Sequence, residues 1–526
     1  MKRTAGIIFR SALLVLVGVA VGFFVSDNRL TGKINFDDKD KVSKVLELVR
    51  HNYVDSVDVD SIEGSTVNTL LQNLDPHSLY LPAQQASTIN ERLEGGFTGI
   101  GVEYILLRDT LVLTQVAASG PAFKAGLKPG DIIVEIDHKK LSGSELNTAK
   151  VSKAFRGQKG TQLLLAAIPS GRGKIKYFDI KRDHVDLSSM DAAYMINTQT
   201  GYVKISKFAS TTDADFRKAL IKLKAEGMQK LVLDIRGNGG GYLNTATALA
   251  DEFLTKKQLI VYTKGVHDPR TDYFATDSGN FQQGKLAVLI DEYSASASEI
   301  LAGALQDLDR AVIVGRRSFG KGLVQEQFLF GDGSAVNLTV ARYYTPSGRS
   351  IQKSYSKGVE SYRNELAQRV RQGELLSEES NLKDSAFSKP TNYHTSLGRK
   401  VFSGGGIMPD IFVPADTTLS TYLTHQLSNK QLFTAYVIDN MQPLLAKYSA
   451  ADYFKNFTVS DADLGNFIIY ASQKIPDMDA REVMSSKDNL KNLIKAFAAR
   501  FKWGDEEYYR TLNANDATIR KAVESI

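Results

Sequence analysis

The sequence predicts an α/β core that is interrupted by an inserted β-rich domain and followed by a helical C-terminal region. From residue 201 onward, short β-branched runs such as LVLDI at 231–235 and KLAVLI at 285–290 alternate with helical stretches. This alternation is typical of a largely parallel sheet covered by helices. Between residues 95 and 185 the strand-like runs are bounded by glycines, and after residue 417 the apolar residues follow helical spacing.

The composition excludes several classes of function. The 526 residues include 65 Lys and Arg against 59 Asp and Glu, without a basic cluster of the kind that binds nucleic acid. The chain has no cysteine, which excludes disulfides, thiol nucleophiles and cysteine-ligated metals. No pair of histidines has the spacing of metal ligands. We therefore expect no metal, no cofactor and no nucleic-acid partner.

Residues 1–30 predict a membrane segment. A basic flank precedes the apolar run SALLVLVGVAVGFFV at residues 11–25, which with the apolar residues before it approaches the roughly 20 needed to cross a bilayer. The basic end is expected to stay in the cytoplasm. Because FFV is a poor cleavage site, we expect an uncleaved single-pass signal-anchor in the cell membrane, with a cleaved signal peptide as the alternative. Both outcomes place the rest of the chain in the periplasm or an equivalent extracytoplasmic space.

Residues 31–94 are expected to form the N-terminal helical part of the core, because their apolar residues recur at helical spacing. The second helix is expected to end in the motif LDPHSLYL at residues 74–81, where a proline follows Asp75. His77 lies in this motif, and we assign it to the turn rather than to catalysis.

Residues 95–185 contain three glycine motifs in a fixed order: GIGV at 99–102, AGLKPGDI at 125–132 and GQKGT at 157–161. This segment resembles a PDZ domain of the kind attached to bacterial proteases. The resemblance implies that Gly99, Ile100 and Gly101 bind the carboxylate of a peptide C-terminus, while the peptide adds a strand to the edge of the domain's sheet. Simple hairpin turns are the alternative interpretation of these glycines.

Three stretches within residues 186–416 are candidates for the functional site. The first, GRRSFGKG at 315–322, satisfies most of a phosphate-binding loop. Gly322, however, stands where that loop needs a Ser or Thr hydroxyl for Mg²⁺, and the residues after it predict a strand rather than a helix. We therefore reject a nucleotide site.

The second stretch is DIRGNGGG at 234–241, and the third is DEYSASASEI at 291–300. Glycines in the second can bring bare backbone N–H groups close to a substrate, or they can simply form a tight turn. Small residues in the third permit a sharp turn that exposes a serine at a helix N-terminus, where negative charge is favoured. Physical chemistry alone does not choose among Ser294, Ser296 and Ser298, and helix capping is the alternative role for all three.

Together these stretches resemble the carboxyl-terminal processing proteases, also called tail-specific proteases, which are Ser–Lys peptidases. The chain departs from the family pattern at Gly237, Gly239 and Tyr293. The resemblance covers about residues 33–414 and rests on these motifs: 74–81, 234–241, 294–300, 318–325, 344–351 and 404–410. It implies an α/β catalytic core of the tail-specific protease type, assembled around the inserted PDZ domain.

Carried over residue by residue, the resemblance assigns the nucleophile to Ser296, the general base to Lys321 and a lysine-orienting role to Gln325. It assigns the oxyanion hole to the backbone N–H groups of Ala297 and Gly240. The lysine must be neutral to act as a base, and burial without a counter-ion lowers its pKa. A Ser–His–Asp triad that uses a distant histidine is the alternative mechanism.

The function implied is that of a membrane-anchored, extracytoplasmic serine endopeptidase that cleaves near protein C-termini. Its partners would be protein or peptide substrates with free C-termini, which the PDZ domain recognises. Residues 417–526 are expected to form helices that dimerise the enzyme or dock an adaptor protein. The rival hypothesis is a catalytically silent PDZ scaffold that holds peptide tails at the membrane.

Overall fold

The computed structural model describes residues 41–141, 146–171, 173–377, 393–419 and 421–526. The predicted membrane segment at residues 1–30 lies outside these ranges. Among the helices that are described, none is both long and apolar enough to cross a bilayer. The chain divides into two units, Met1–Leu70 and Leu71–Ile526. Helix α1 (Lys41–Asn52) and most of α2 (Val59–Gln72) belong to the first unit.

The second unit begins with a short strand, β1 (Leu79–Leu81), and helix α3 (Ala83–Glu94). An Asp75 carboxylate oxygen accepts hydrogen bonds from the backbone N–H groups of His77 and Ser78, at 2.7 and 2.9 Å. The LDPHSLYL motif therefore forms a capped turn that leads into β1, as the sequence predicts for its first half.

The inserted domain is closed at its base by β2 (Gly96–Gly99), which pairs antiparallel with β9 (Asp183–Asp186). Between them, an antiparallel sheet has the order β3-β4-β5-β7-β8, with β6 paired to β5. Its strands and helices are β3 (Val102–Leu107), β4 (Thr110–Val116), α4 (Pro121–Lys124), β5 (Ile132–Ile136), β6 (Lys139–Lys140), α5 (Thr148–Phe155), β7 (Gln162–Ile168) and β8 (Lys176–Lys181). Fully buried leucines such as Leu111 and Leu163 form its core.

The core of the second unit is a six-stranded sheet with the order β10-β11-β12-β15-β16-β21. Every neighbouring pair is parallel except β10 with β11. Its strands and the helices between them are β10 (Met190–Met195), β11 (Thr200–Ile205), α6 (Thr212–Ala225), β12 (Lys230–Asp234), α7 (Leu243–Asp251), β15 (Lys285–Ile290), α8 (Ala297–Asp307), β16 (Val312–Gly315) and β21 (Ile411–Phe412).

Both faces of this sheet are covered, which explains the continuous apolar runs in the sequence. Leu231 and Leu233 of β12 pack into the cluster that includes α6, α7 and α8, whereas Val232 between them faces a second cluster. The second cluster contains Ile519 and Ala522 of the last helix, α19 (Ala517–Ser525). Side chains of adjacent strand residues point to opposite faces, so all three β12 side chains are buried.

A second, five-stranded sheet includes the strand that directly follows the motif at 315–322. β18 (Ala335–Tyr344) is its long central strand and pairs with β17 (Leu323–Leu329) along one edge. Its other edge pairs with β1 at one end and with β13 (Leu259–Lys264) at the other, and β13 pairs with β14 (Thr271–Phe274). A strand at 323–329 confirms the reason given for rejecting a nucleotide-binding loop.

The remaining elements precede or form the C-terminal region. They are α9 (Val359–Arg363), α10 (Glu365–Arg371), β19 (Tyr393–His394), β20 (Lys400–Val401), α11 (Tyr422–Asn429), α12 (Leu432–Tyr436), a π-helical turn (Val437–Met441), α13 (Gln442–Leu445), α14 (Ala450–Asn456), α15 (Asp461–Ser472), α16 (Ala480–Ser485), α17 (Lys487–Trp503) and α18 (Asp505–Leu512). Stacked rings of Phe433, Phe467 and Phe497, about 5 Å apart, lie in the core of this region. The predicted fold class, an α/β core with an inserted β-rich domain and a helical C-terminal region, is confirmed.

Candidate active site

Ser296 occupies the sharp turn between β15 and α8. Its φ of 56° lies in the left-handed region, which is strained for a residue other than glycine. The turn is held by a hydrogen bond from the Ser296 N–H to Glu299 Oε2 at 2.9 Å. Ser296 is half-buried and lines a cavity, whereas α8, which follows it, is buried along its whole length.

The two neighbouring serines have different surroundings. Ser294 and Ser298 are fully buried. The Ser294 hydroxyl donates to the Ile235 carbonyl at 2.9 Å, and the Ser298 hydroxyl donates to the Asn238 carbonyl at 2.8 Å. Both therefore tie the glycine loop at 234–241 to the serine turn, and of the three serines only Ser296 lines the cavity.

The cavity has a volume of about 350 Å³ and is partly open to solvent. It brings together residues that are far apart in the sequence, including Ser296, Lys321 and Gln325. Its remaining lining comes from α3, the glycine loop with the start of α7, the first turn of α8 and the β17–β18 hairpin: Ile89, Asn90, Leu93, Gly239, Gly241, Tyr242, Leu243, Ala297, Ile300, Leu323, Val324, Gln327, Asn337 and Tyr343. Much of this lining is apolar, and it contains no histidine.

The glycine loop packs directly against Ser296. At Gly240, whose φ is 107°, an added Cβ would lie 2.8 Å from Ser296 Cβ and 2.9 Å from the Ala295 carbonyl oxygen. A side chain is therefore sterically excluded there. The Gly240 N–H donates to Asn238 Oδ1 at 2.9 Å, so it is already engaged. Within the described residues, the N–H groups of Ala297 and Gly239 have no acceptor.

Lys321 lies between β16 and β17. Burial lowers the pKa of its side chain, against an opposing effect of the Glu299 and Asp75 charges. Within the ranges described above, Lys321 Nζ has neither a hydrogen-bond partner nor a carboxylate within ion-pair distance. Burial thus shifts the protonation equilibrium of Lys321 toward the neutral amine.

Glu299 is a site residue that the sequence reasoning missed. Its fully buried carboxylate accepts hydrogen bonds from the N–H groups of Ser296, Gly320 and Lys321, at 2.9, 2.7 and 2.8 Å. It also accepts one from the Ser318 hydroxyl at 2.5 Å. Burial raises the pKa of Glu299 to about 7, although these hydrogen bonds favour the carboxylate. The available signal is an acidic residue in the first turn of a helix whose next six residues, 300–305, are all apolar or glycine.

Gln325 lines the cavity from β17. Its Nε2 donates to the Thr339 hydroxyl on β18 at 3.2 Å. The register of the two strands pairs these same two residues. Gln325 is therefore anchored by its amide nitrogen, and its oxygen has no partner among the described residues.

His77 does not line the cavity. Its Nε2 lies 2.7 Å from the Tyr362 hydroxyl, and its ring packs edge-on against Phe319 and Tyr362. Burial lowers the pKa of His77 to about 3. The imidazole is therefore neutral and structural in this conformation, in agreement with the turn assignment. In the described part of the chain, no cluster of three His, Asp or Glu residues could hold a metal ion.

Comparison with known proteins identifies the family. Residues 199–361 match peptidase family S41, and residues 98–161 match the PDZ domain family. The carboxy-terminal-processing protease of Bartonella bacilliformis is 35% identical over 350 residues, which are 66% of this chain and 78% of that protein. The chain belongs to peptidase family S41. It is thus a serine-type peptidase of the carboxy-terminal processing group, and the inserted domain is a PDZ domain.

Other proteins and families are similar to parts of this chain. The carboxy-terminal processing protease CtpB of Bacillus subtilis is 36% identical over 324 residues, 61% of this chain and 66% of that protein. A solved photosystem II D1 C-terminal processing protease matches 59% of this chain and 83% of its own at 30% identity, with a TM-score of 0.32. Residues 423–504 of the helical region match a family of unknown function.

The PDZ residues of this S41 peptidase lie where β2 leads into β3, with Gly99 at the end of β2 and Ile100 and Gly101 in the loop. Gly101 has a φ of 78°, and an added Cβ would meet Val185 and Ala117 at 3.2 to 3.3 Å. Ile100 is buried, and its carbonyl accepts the Ala122 N–H at 2.9 Å. None of Gly99, Ile100 and Gly101 lines the cavity at Ser296. The structure therefore separates the candidate carboxylate loop from the candidate catalytic residues.

Proposed function

We propose that this S41 peptidase hydrolyses peptide bonds with a Ser–Lys dyad, with Ser296 as the nucleophile and Lys321 as the general base. The observation that carries the proposal is the cavity that both side chains line, in which no histidine takes part. Gln325 lines the same cavity and is assigned to orient the amine. The burial of Ser294 and Ser298, with both hydroxyls engaged, supports Ser296 over its neighbours.

The reaction follows from these groups. Neutral Lys321 takes the proton of the Ser296 hydroxyl as Oγ attacks the substrate carbonyl carbon. The tetrahedral intermediate collapses as the C–N bond breaks, and the lysine ammonium gives its proton to the leaving amine. An ester between Ser296 and the substrate remains. Lys321 then takes a proton from a water molecule, whose oxygen attacks the ester carbon, and the second collapse returns a proton to Ser296 Oγ.

Negative charge develops on the substrate carbonyl oxygen in both steps. The Ala297 N–H begins α8 and lies beside the nucleophile, so it is suited to bind that oxygen. We assign the second donor to the glycine loop. The Gly240 N–H serves if it releases Asn238 Oδ1 when substrate binds, whereas the Gly239 N–H is already without an acceptor among the described residues.

The lysine base requires a low pKa, and the structure supports one. Burial lowers the pKa of Lys321, and Glu299, the buried carboxylate that binds its backbone N–H, has its own pKa raised to about 7. Activity is therefore expected to rise with pH as the amine loses its proton. A histidine base would show the same direction, so the distinction rests on variants rather than on the profile alone.

Substrate recognition is assigned to the PDZ domain. We propose that Gly99, Ile100 and Gly101 bind the carboxylate of protein or peptide substrates with free C-termini. Residues 1–30 are proposed to anchor the enzyme in the cell membrane, with the catalytic core in the periplasm or an equivalent space, because of their apolar run and basic flank. The helical region from residue 417 is proposed to dimerise the enzyme or to dock an adaptor.

The three serines supply the test. Ser296→Ala should abolish cleavage of an unstructured peptide, and labelling by a fluorophosphonate probe, while leaving the melting temperature unchanged. Ser294→Ala and Ser298→Ala are the matched controls. Each loses a buried hydrogen bond, so its free energy of unfolding should fall by about 1–3 kcal/mol and its melting temperature should be lower. Each should nevertheless keep its activity when folded. A folded, inactive Ser294→Ala beside an active Ser296→Ala would show that the nucleophile assignment is wrong. Absence of cleavage and labelling in the parent chain would favour a silent scaffold.

A further inference from the structure

The strand β3 is an edge of the PDZ sheet. It comes first in the order β3-β4-β5-β7-β8, and among the described residues no strand pairs with its other edge. The proposed carboxylate loop, residues 99–101, leads directly into β3. A peptide that this loop holds by its C-terminus would therefore add to the edge of β3 as an antiparallel strand.

The direction of the added strand decides which way each peptide side chain faces. Its carboxylate end lies at the start of β3, so its last four residues, counted back from the C-terminus, run alongside residues 102–105 in turn. Residues opposite each other in a sheet point to the same face. Val102 and Tyr104 pack against the PDZ core, whereas Ile105 belongs to a separate apolar cluster. The fourth peptide residue from the C-terminus therefore faces the same side as Ile105.

The helical region covers the face of the PDZ sheet that carries Ile105. Ile105 and Val112 are buried in one cluster with Ala435 of α12. Beside this cluster, Gln115 Nε2 donates to the Arg500 carbonyl on α17 at 2.6 Å. The helical region thus packs directly on the outer face of β3 and β4.

The turn between β3 and β4 is also attached to the helical region. Its two residues, Arg108 and Asp109, have φ values of 50° and 55°, in the left-handed region that glycine or asparagine normally occupies in such turns. Arg108 forms an ion pair with Asp439 in the π-helical turn, and Asp439 accepts the Tyr470 hydroxyl at 2.7 Å. The helical region therefore supports a strained turn and holds the end of β3 in place.

A cavity of about 190 Å³ lies between β3 and the helical region. Its lining includes side chains from β3, α11, α12 and α17: Glu103, Ile105, Ser428, Phe433, Phe497 and Arg500. The isoleucine and the two phenylalanines give the cavity apolar walls. The charged residues of the lining, Glu103 and Arg500, form an ion pair with each other at 3.0 Å. Neither of them needs a charged partner from the peptide, so the cavity favours an apolar side chain.

We propose that this cavity is a specificity subsite, in which the helical region selects a large apolar side chain at the fourth residue from the C-terminus of a captured substrate. The proposal rests on the PDZ capture of substrate C-termini given above. Without the helical region this side chain would face solvent, because it lies on the face of the sheet opposite the PDZ core. Residues 423–504, which match a family of unknown function, thereby take part in the choice of substrate.

The test measures the binding of dye-labelled, unstructured peptides to the full chain carrying Ser296→Ala, by fluorescence anisotropy. The peptides have a free C-terminal carboxylate and differ only in one residue, Leu or Ser, at the fourth position from the C-terminus. The Leu peptide should bind about 5-fold more tightly, which is the effect expected from burying about half of a leucine side chain. The same exchange at the third position is the peptide control, since that side chain faces the PDZ core.

Ser428→Trp is the decisive variant. Ser428 is exposed on α11 and lines the cavity, so a tryptophan there fills the cavity without removing a buried contact. The preference for Leu over Ser at the fourth position should disappear, whereas the effect of the exchange at the third position should stay as in the parent. The matched control is Asn429→Trp, at an exposed neighbour that does not line the cavity, and it should keep the preference. If Ser428→Trp melts below its parent, Gln431→Trp fills the same cavity from the loop before α12.

Equal binding of the Leu and Ser peptides by the parent would overturn the proposal. So would a preference that Ser428→Trp and Gln431→Trp both retain in full. An amidated Leu peptide separates this result from the proposed PDZ capture. If the parent binds the amide as tightly as the acid, capture of the C-terminus itself fails. If the parent prefers the acid but does not distinguish Leu from Ser, capture stands and only the subsite is refuted.

Discussion

Glu299→Gln is the substitution for which the structure gives the clearest magnitude. The carboxylate joins the Ser296 turn to the Lys321 segment by accepting three backbone N–H groups and the Ser318 hydroxyl. Glutamine has nearly the same shape, but it cannot ionise and its NH₂ group must face donors. The variant is therefore expected to be less stable than its parent and to have a lower kcat at every pH.

The stability difference should depend on pH in a defined direction. Burial raises the pKa of Glu299 from 4.5 to about 7 in the folded chain, so the folded state binds this proton more tightly than the unfolded state. That contribution is complete below pH 4.5 and is lost as the pH rises through about 7. The difference between these two pKa values corresponds to roughly 3 kcal/mol. The glutamine side chain of the variant has no such proton. The difference in free energy of unfolding between parent and variant should therefore narrow by about that amount as the pH rises.

Urea denaturation followed by circular dichroism at pH 5 and pH 8 measures the gap. Both proteins should carry Ser296→Ala, which prevents self-digestion and leaves every other titrating group in common. Most of the change, about 2.5 kcal/mol, should appear between these two pH values. A gap that stays constant from pH 5 to pH 8 would refute the argument that burial of Glu299 opposes its ionisation.

Two further predictions concern Lys321 as the general base and the C-terminus of the substrate peptide. Lys321→Arg keeps the charge and most of the length, but guanidinium does not release its proton, so turnover of an unstructured peptide should fall by about 10²- to 10⁴-fold, as in Lys321→Ala. Near-normal turnover by folded Lys321→Arg would contradict a lysine base. Amidating the C-terminus of that peptide removes the charge that Gly99, Ile100 and Gly101 are proposed to bind, so kcat/KM should fall for the parent enzyme. Equal values for the acid and the amide would count against PDZ capture.

Local pattern was sufficient for much of the fold. The apolar runs of β12 and β15 could be assigned to a buried parallel sheet because a strand covered on both faces needs apolar residues at every position. A tight turn was one of the two interpretations of the glycine loop at 234–241, and at Gly241 an added Cβ would lie 2.0 Å from the Phe208 carbonyl oxygen. The motif at 315–322 could be distinguished from a nucleotide-binding loop by Gly322 and by the strand pattern that follows it. The strand β17 confirms that pattern.

The candidate site was predictable only in part. Resemblance to a family placed Ser296, Lys321 and Gln325, whereas the chemistry of the SASAS motif by itself left three serines equivalent. The distinction among them depends on which hydroxyls the Ile235 and Asn238 carbonyls engage, and that is a property of the packed glycine loop. The Gly240 N–H was assigned to the oxyanion hole, but its bond to Asn238 could not be read from the sequence.

What the sequence by itself determined, therefore, is the order of strands and helices, because that order depends on residues near one another in the chain. What only the tertiary structure decided is which distant groups share a hydrogen bond. Glu299 reaches the Lys321 N–H, and Ser78 reaches the Thr339 N–H, because strand pairing and the burial of α8 bring these segments together. A buried carboxylate must find donors wherever the fold supplies them, and no local pattern records which donors those are.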